Sequence, residues 1–279
     1  MTDPRLPTLI INADDFGWTD GHNLAIERAG LNSVINSVSV MTTTERFLQA
    51  VEIYRRIPSL RIGVHLVLND TASLAGNQQL PVLTQENGSF HRSIQMLIFL
   101  WLFGQLDHDE VRGEWRLQIE RALEAALPIS HLDSHRHIHL IPPLFDVAVA
   151  LAKEYQITYV RLPRERFSAA AFRRFPGWLG LSVLCQVARL RLVKEGLSYA
   201  DLFHGFNRSG RMTYQSLRKS IESADPSGIT EIMVHPAVIT AEVVDLIKRN
   251  PELKNYRFED ELEALIDLKA QGYGTRDPN

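Results

Sequence analysis

Residues 131–139 read HLDSHRHIH. Four of the ten histidines of the chain and one aspartate fall in this stretch, all at positions of one parity. On a strand, side chains two apart share a face, so His131, Asp133, His135, His137 and His139 would line one wall. Burying several imidazoles together is unfavourable unless each finds a polar partner. A metal with supporting hydrogen bonds supplies such partners. One ligand is enough to explain the cluster, and His135 is the candidate. His131 lies early in the run and belongs deeper. Asp133 can orient an imidazole, and His137 and His139 fall beyond the expected strand end, toward substrate or behind the ligands.

Other chemistry-bearing residues sit at comparable places. Asp14 and Asp15 follow the apolar run LIINA, His65 lies in RIGVHLVL, Arg161 in TYVRL, and His235 follows EIMV. His204 follows a further short strand-like run. One carboxylate and two neutral imidazoles suit a divalent metal and leave positions open for water and substrate. Asp15, His65 and His135 are the candidate ligands. Asp14 is then free to act as a base toward water, whose pKa a metal lowers to about 7 in the best cases. Arg161 can keep Asp14 ionised and oriented, and His235 can protonate a leaving group. Singly, each residue has a structural alternative: a helix cap for the aspartates, a core imidazole, an ion pair for Arg161 and a turn for His235. Two histidines and a carboxylate also hold non-haem iron, but a neighbouring free carboxylate suits hydrolysis better.

Strand-like and helical runs alternate along the whole chain and must position these groups. Strands are expected at 9–13, 37–41, 61–68, 131–135, 158–162, 199–204 and 231–234. Helices are expected at 20–31, 45–57, 109–127, 143–155, 213–224 and 258–271. The alternation predicts an α/β fold with a mainly parallel sheet, and about seven units in this length favour a (β/α) barrel. In such a barrel the C-terminal strand ends form the active-site rim, where all the candidates would meet. The chain reads as a single domain, 1–279, with insertions at about 69–107 and 164–196. The phosphate loops GxGxxG and GxxxxGK[ST] are absent, which excludes nucleotide folds of those types.

A net charge of −3 gives no basic footprint for nucleic acid. One cysteine, Cys185, excludes an internal disulfide framework and a zinc ribbon, and fits a cytoplasmic location. The apolar run IQMLIFLWLF at 94–103 is shorter than the ~20 residues needed to span a bilayer. A buried helix is its first reading and an interfacial patch its second.

NADDFG at 12–17, GVHLVL at 63–68, HLDSHRHIH at 131–139 and MVHP at 233–236, in this order, resemble the YdjC-like (ChbG/HpnK) carbohydrate deacetylases. The resemblance implies a distorted (β/α) barrel related to polysaccharide deacetylases. It implies a metal-dependent hydrolase that removes acetyl groups from N-acetylated amino sugars. Carried over by motif, Asp15, His65 and His135 would be ligands to one divalent ion (magnesium, zinc, manganese or cobalt), Asp14 the base and His235 the general acid. Stretches 99–124, 132–155 and 159–165 resemble the hopanoid-associated HpnK-type branch, which implies N-acetylglucosaminyl bacteriohopane polyol as substrate. A soluble oligosaccharide such as chitobiose is the alternative, and a non-catalytic sugar- or lipid-binding protein is the alternative of another class. The two apolar insertions would then line an apolar path, touch a membrane surface or join a homodimer. Arg189, Arg191 and Lys194 beside the second apolar run suit an interfacial helix.

Overall fold

Eight residues of LIINADDF form β1 (Leu9–Phe16), and all eight are buried. A strand buried on both faces belongs in the middle of a parallel sheet covered on each side. β1 pairs in parallel with β2 (Ser37–Val40) and with β7 (Thr230–Val234). The sheet continues from β2 through β3 (Arg61–Leu66) and β4 (Ile129–Ser134) to β5 (Tyr159–Val160), and from β7 to β6 (Leu202–His204). The resulting seven-stranded order is β5-β4-β3-β2-β1-β7-β6. Its ends approach each other: Tyr159 bridges Ser198, and the Phe203 N–H donates to the Arg164 carbonyl at 3.3 Å. The sheet therefore curls into a distorted (β/α) barrel, as the alternation predicts.

The computed structural model describes residues 9–91, 94–167, 175–225 and 227–274. Helices cover the outside: α1 (Asp20–Asn32), α2 (Phe47–Tyr54), α3 (Ile94–Leu102), α4 (His108–Glu124), α5 (Pro142–Glu154), α6 (Phe175–Glu195), α7 (Tyr214–Glu222), α8 (Ala241–Arg249) and α9 (Phe258–Ala270). Their starts follow local chemistry. Thr19, Asp107, Thr213 and Thr240 each accept a backbone N–H of the first turn. Two prolines open α5, where a missing N–H does no harm.

Two sequence expectations are corrected. α3 is not a buried helix: Leu97 and Leu100 are buried, while Met96, Phe99 and Leu102 are exposed, as is Phe103 just beyond it. The single wall of odd positions does not form, although 137 and 139 do lie beyond the strand end as expected. The strand ends at Ser134, and Arg136 and His137 both take φ of 56°, so the common face of the odd positions is lost there. α8 was not foreseen. In the second insertion, α6 buries Cys185, Ala188 and Leu192 and exposes Leu179, Val183, Val187, Leu190 and Val193. No described helix is long and apolar enough to cross a membrane.

Candidate active site

Asp14 and Asp15 leave the C-terminal end of β1 in a bent stretch. The register of β1 on β2 shifts between Ala13 and Phe16, and Asp15 has a φ of 65°. Aspartate tolerates this left-handed geometry better than bulkier residues. The bend sends the two neighbouring carboxylates to different partners. Arg161, just after β5, takes Asp14: Nη1 donates to Oδ2 at 2.7 Å and Nη2 to Oδ1 at 2.8 Å. Asp15 Oδ1 instead faces two imidazoles, His135 Nδ1 at 3.1 Å and His65 Nε2 at 3.5 Å.

His65, near the end of β3, is fixed from behind. Its Nδ1 donates to Asp133 Oδ1 at 2.8 Å, so its Nε2 faces Asp15 and lies 4.0 Å from Asp14 Oδ2. Ligand atoms of Asp15, His65 and His135 all lie within 4.8 Å of one another. Asp14, His65 and Asp133 meet the same distance criterion. Asp133 is already engaged, however, by His65, by Ser39 at 2.7 Å and by Arg161 at 2.7 Å. The first set is the one with free coordinating capacity.

Electrostatics at the set fit a cation. Burial works against charge at Asp15, but His135 beside it holds the carboxyl well below its ordinary range. Burial works against a charged His135 too, yet Asp15 and Asp70 push that imidazole up to about 9. The carboxylates thus favour positive charge at this spot, which a divalent ion supplies better than a proton. His65 is also raised against the effect of burial, by Asp133 and Asp14. For Asp133, burial is overcome by Arg161 and His65, and its carboxyl lies well below the ordinary range.

A pocket of about 290 Å³ opens at this point, lined by Asp14, Asp15, His65, His135, His137 and His235 among others. His235, after β7, has its backbone N–H held by Glu261 at 2.7 Å, while its Nδ1 has no partner among the described residues. Burial lowers its pKa below the ordinary imidazole value. His137 stands between Phe203 and Phe206, each ring at 5.9 Å, and burial keeps it neutral. Trp18, Ile94, Phe206, Leu253 and Tyr256 add apolar surface to the pocket.

Not every candidate arrives at the pocket. His139 is held by Ser134 Oγ at 2.5 Å and by the Arg161 carbonyl at 3.0 Å, and it locks the loop after β4. His131 is deep, as expected, between Ser130 and Ser39. His204 ends β6 but lines a separate cleft with Arg166 and Arg208. The buried side of α6 belongs to the main core; among its described residues none lines the candidate pocket. Among the described residues of the two insertions, Ile94 of the first lines the pocket.

Sequence reasoning missed three carboxylates. Asp70 follows β3, has a φ of 65°, and places Oδ2 3.3 Å from His135 Nε2 and 3.0 Å from Arg136. Its position at a strand end was a usable signal. Glu231, the acidic residue within TEIMV, accepts from Arg161 Nε at 2.6 Å and from the Tyr159 hydroxyl at 2.6 Å. A glutamate in an otherwise apolar strand was a signal as well. Glu261 lies in α9, whose acidic first turn gives no hint that one carboxylate turns inward.

The profile of the YdjC-like protein family matches residues 8–274. The chain belongs to this family. A carbohydrate deacetylase of Brevibacillus brevis is 32% identical over 267 residues, covering 94% of this chain and 96% of that protein. A chitooligosaccharide deacetylase of Yersinia pestis is 28% identical over 239 residues, covering 83% and 82%. Among solved structures, a protein of Enterococcus faecalis V583 named for cellobiose-phosphate cleavage superposes with a TM-score of 0.72 at 25% identity, covering 96% of both chains. In this YdjC-like chain, the motifs NADDFG, GVHLVL, HLDSHRHIH and MVHP converge on the pocket from β1, β3, β4 and β7.

Proposed function

We propose that this protein is a metal-dependent carbohydrate N-deacetylase that hydrolyses the acetamide of an N-acetylglucosamine-type sugar to acetate and the free amine. The observation that carries the reading is the division of labour at β1. Asp15 joins His65 and His135 in one buried set, while its neighbour Asp14 stays outside that set in a guanidinium fork. Relatives named as carbohydrate and chitooligosaccharide deacetylases support it.

In this reading Asp15, His65 and His135 would hold one divalent ion, with zinc, magnesium, manganese and cobalt all compatible with mixed oxygen and nitrogen donors. The ion would supply Lewis-acid polarisation of the acetamide carbonyl and make water acidic enough to ionise near neutral pH. Asp14 takes the proton of the attacking water. Arg161 keeps that carboxylate in place through two hydrogen bonds, so the base does not swing onto the ligand set. Asp133 orients His65 from behind, a common way to fix a ligating imidazole. His235 gives a proton to the departing amine. Burial leaves it neutral at rest, so the proton it passes on is the one Asp14 has taken from water, and both side chains end the cycle as they began. The apolar walls of the pocket exclude bulk water and strengthen each of these interactions. In this reading the chain acts as one catalytic domain, 1–279.

We read the sugar as lipid-linked, on a hopanoid polyol of the HpnK type. Support comes from α3, whose first residue, Ile94, lines the pocket and whose outer side exposes Met96, Phe99 and Leu102. The apolar body of such a substrate has a place to lie beside the pocket, and the same surface suits peripheral membrane contact. The soluble-oligosaccharide reading is supported equally by the relatives' names. Acetate release from N-acetylglucosaminyl bacteriohopane polyol and from N-acetylchitobiose, each with and without chelator, tests both. Chelator-sensitive release from the lipid alone supports the hopanoid reading. Release from the soluble sugar alone removes it and keeps the deacetylase. No release from either by metal-loaded protein removes the enzyme reading.

A further inference from the structure

His204 ends β6 away from the metal pocket, in a cleft of about 450 Å³. That volume lies within the ~300–1,000 Å³ typical of small-ligand sites. Arg166 after β5, Arg208 after β6 and Lys219 on α7 bring three cations to it. Thr213 and Ser216 add hydroxyls. Carboxylates are plentiful in a chain of net charge −3, and Arg46, Arg56, Arg116 and Arg218 each take one. Arg166, Arg208 and Lys219 form no ion pair among the described residues. Two carboxylates lie close, and each is engaged. Glu165 Oε2 accepts the backbone N–H of Asn207 at 2.8 Å. Asp225 lies within the field of Arg166, but its Oδ1 accepts the backbone N–H and the hydroxyl of Ser227 at 2.8 and 2.6 Å.

Like charges around one concavity repel each other. Their field reaches His204, whose imidazole is held below its ordinary value by burial and by Arg166. An anion of two or more charges relieves this repulsion. Guanidinium groups pair two oxygens at once, and hydroxyls donate to further ones. Phosphate supplies both the charge and the oxygens, whereas a monocarboxylate has a single charge and a single pair of oxygens. The cleft also shares a wall with the metal pocket. In the loop after β6, Phe206 and Ser209 line the pocket, while Arg208 and Met212 line the cleft. The Met212 N–H donates to Glu261 at 2.8 Å, and the other oxygen of Glu261 accepts the His235 N–H at 2.7 Å. A ligand held by Arg208 therefore bears on a segment that reaches Phe206 directly and His235 through Glu261.

We propose that this cleft binds the phosphate group of a small soluble molecule, free phosphate or an ester, and that its occupant steadies the loop shared with the metal pocket. The site lies outside the ligand set and the groups assigned to hydrolysis, so it stands whatever reaction the pocket performs. It makes the loop after β6 the route by which such a ligand tunes the pocket.

The test is calorimetric titration of the full chain at low ionic strength with inorganic phosphate, pyrophosphate and glycerol 2-phosphate. The protein is used both zinc-loaded and after chelator treatment and dialysis, because a metal ion binds phosphate too. At least one ligand should bind in both forms. Arg208→Gln and Lys219→Gln each remove one charged donor from an exposed position and leave the core intact. Each should weaken binding by about 10-fold, the usual worth of a charge-assisted hydrogen bond. Lys248→Gln, on α8 and outside the cleft, should leave the affinity unchanged. Amide exchange at Asn207, Ser209 and Met212 should slow when the ligand saturates the wild type, and should not in Arg208→Gln. Co-sedimentation with vesicles of phosphatidylcholine and phosphatidic acid separates a lipid headgroup from a soluble phosphate. Vesicle binding that needs Arg208, without binding of any soluble ligand, overturns the proposal in favour of a membrane lipid. No binding in either assay, binding only with the metal present, equal losses in Lys248→Gln, or unchanged exchange at saturation overturns it outright.

Discussion

Arg161 and Asp14, 147 residues apart in sequence, meet in a buried two-point contact, with Nη1–Oδ2 at 2.7 Å and Nη2–Oδ1 at 2.8 Å. The same guanidinium touches Asp133 at 2.7 Å and Glu231 at 2.6 Å. One cation thus organises three carboxylates from β1, β4 and β7 at the barrel's centre. Lysine carries the charge without the planar fork and cannot make these contacts together. Arg161→Lys should therefore lower stability by about 3–5 kcal/mol, the usual loss when buried charges lose their partner. It should also lower acetate release by roughly 10²-fold or more, because the proposed base is no longer held. Thermal melts and acetate assays check both. A variant with a normal melting temperature and normal rate would show that Arg161 is dispensable.

Asp70 gives a prediction about metal affinity. A metal-ligating histidine is ordinarily steadied through its second nitrogen, and loss of that partner typically costs 10–100-fold in affinity. His135 Nε2 faces Asp70, as His65 Nδ1 faces Asp133. Asp70→Asn should weaken zinc binding by about that factor, measured by competition with a chromogenic chelator. His135→Ala should abolish tight binding, whereas Asp14→Asn should leave it nearly intact while removing turnover. If Asp14→Asn lost the metal and Asp70→Asn kept it, the separation of ligand from base would be wrong.

The contrast between these two aspartates shows how far the sequence reaches. Asp14, Asp15, His65, His135 and His235 were legible because a parallel barrel sends every strand end to one rim, whatever the distance along the chain. Parity on HLDSHRHIH was legible only as far as Ser134. Beyond it Arg136 and His137 take left-handed backbone conformations that carry no glycine or asparagine signature, and each later side chain is redirected. His139 consequently serves the loop rather than the pocket, and His204 ends a strand beside another cleft. Asp70 lies just past the expected strand end, a usable signal, but it also opens an insertion and reads as loop. Glu261 was hidden because helical periodicity on an acidic first turn does not say which carboxylate faces inward.

Buried titratable groups set the pH dependence of stability. Burial holds His22, His131 and His139 at about 4, below the ~6.5 of an unfolded chain. Between those values the unfolded chain binds more protons, so stability is present above pH ~6.5 and is lost as pH falls toward 4. Glu261 acts in the opposite sense. Burial raises it from 4.5 to about 8, although the backbone N–H groups of His235 and Met212 favour its ionised form. The folded chain binds more protons there, so the Glu261 contribution is full below pH 4.5 and is lost as pH rises through 8. Urea midpoints followed against pH should show an optimum between the two limbs. Glu261→Gln should lower stability by about 1–3 kcal/mol, since one backbone donor loses its acceptor, and should flatten the alkaline limb. An alkaline limb as steep as in the wild type would assign that limb to other groups.

Gly63 is tied to the candidate metal site by a chain of contacts in the barrel interior. A Cβ built there would lie 2.3 Å from Cδ2 and Nε2 of His131, so the ring must move if any side chain is added. That ring contacts Ser39 at 3.1 Å, Ser39 donates to Asp133 at 2.7 Å, and Asp133 orients His65 at 2.8 Å. Gly63→Ala should thus cost about 1–3 kcal/mol in stability through overpacking and should also weaken zinc binding, although residue 63 touches no proposed ligand. Gly63→Ala/His131→Ala separates the clash from any effect on the strand backbone. With the ring gone, the added methyl has space, and the double variant should lose less stability than the two single changes summed. Strict additivity would place the effect of residue 63 in the strand rather than in the chain of contacts that ends at His65.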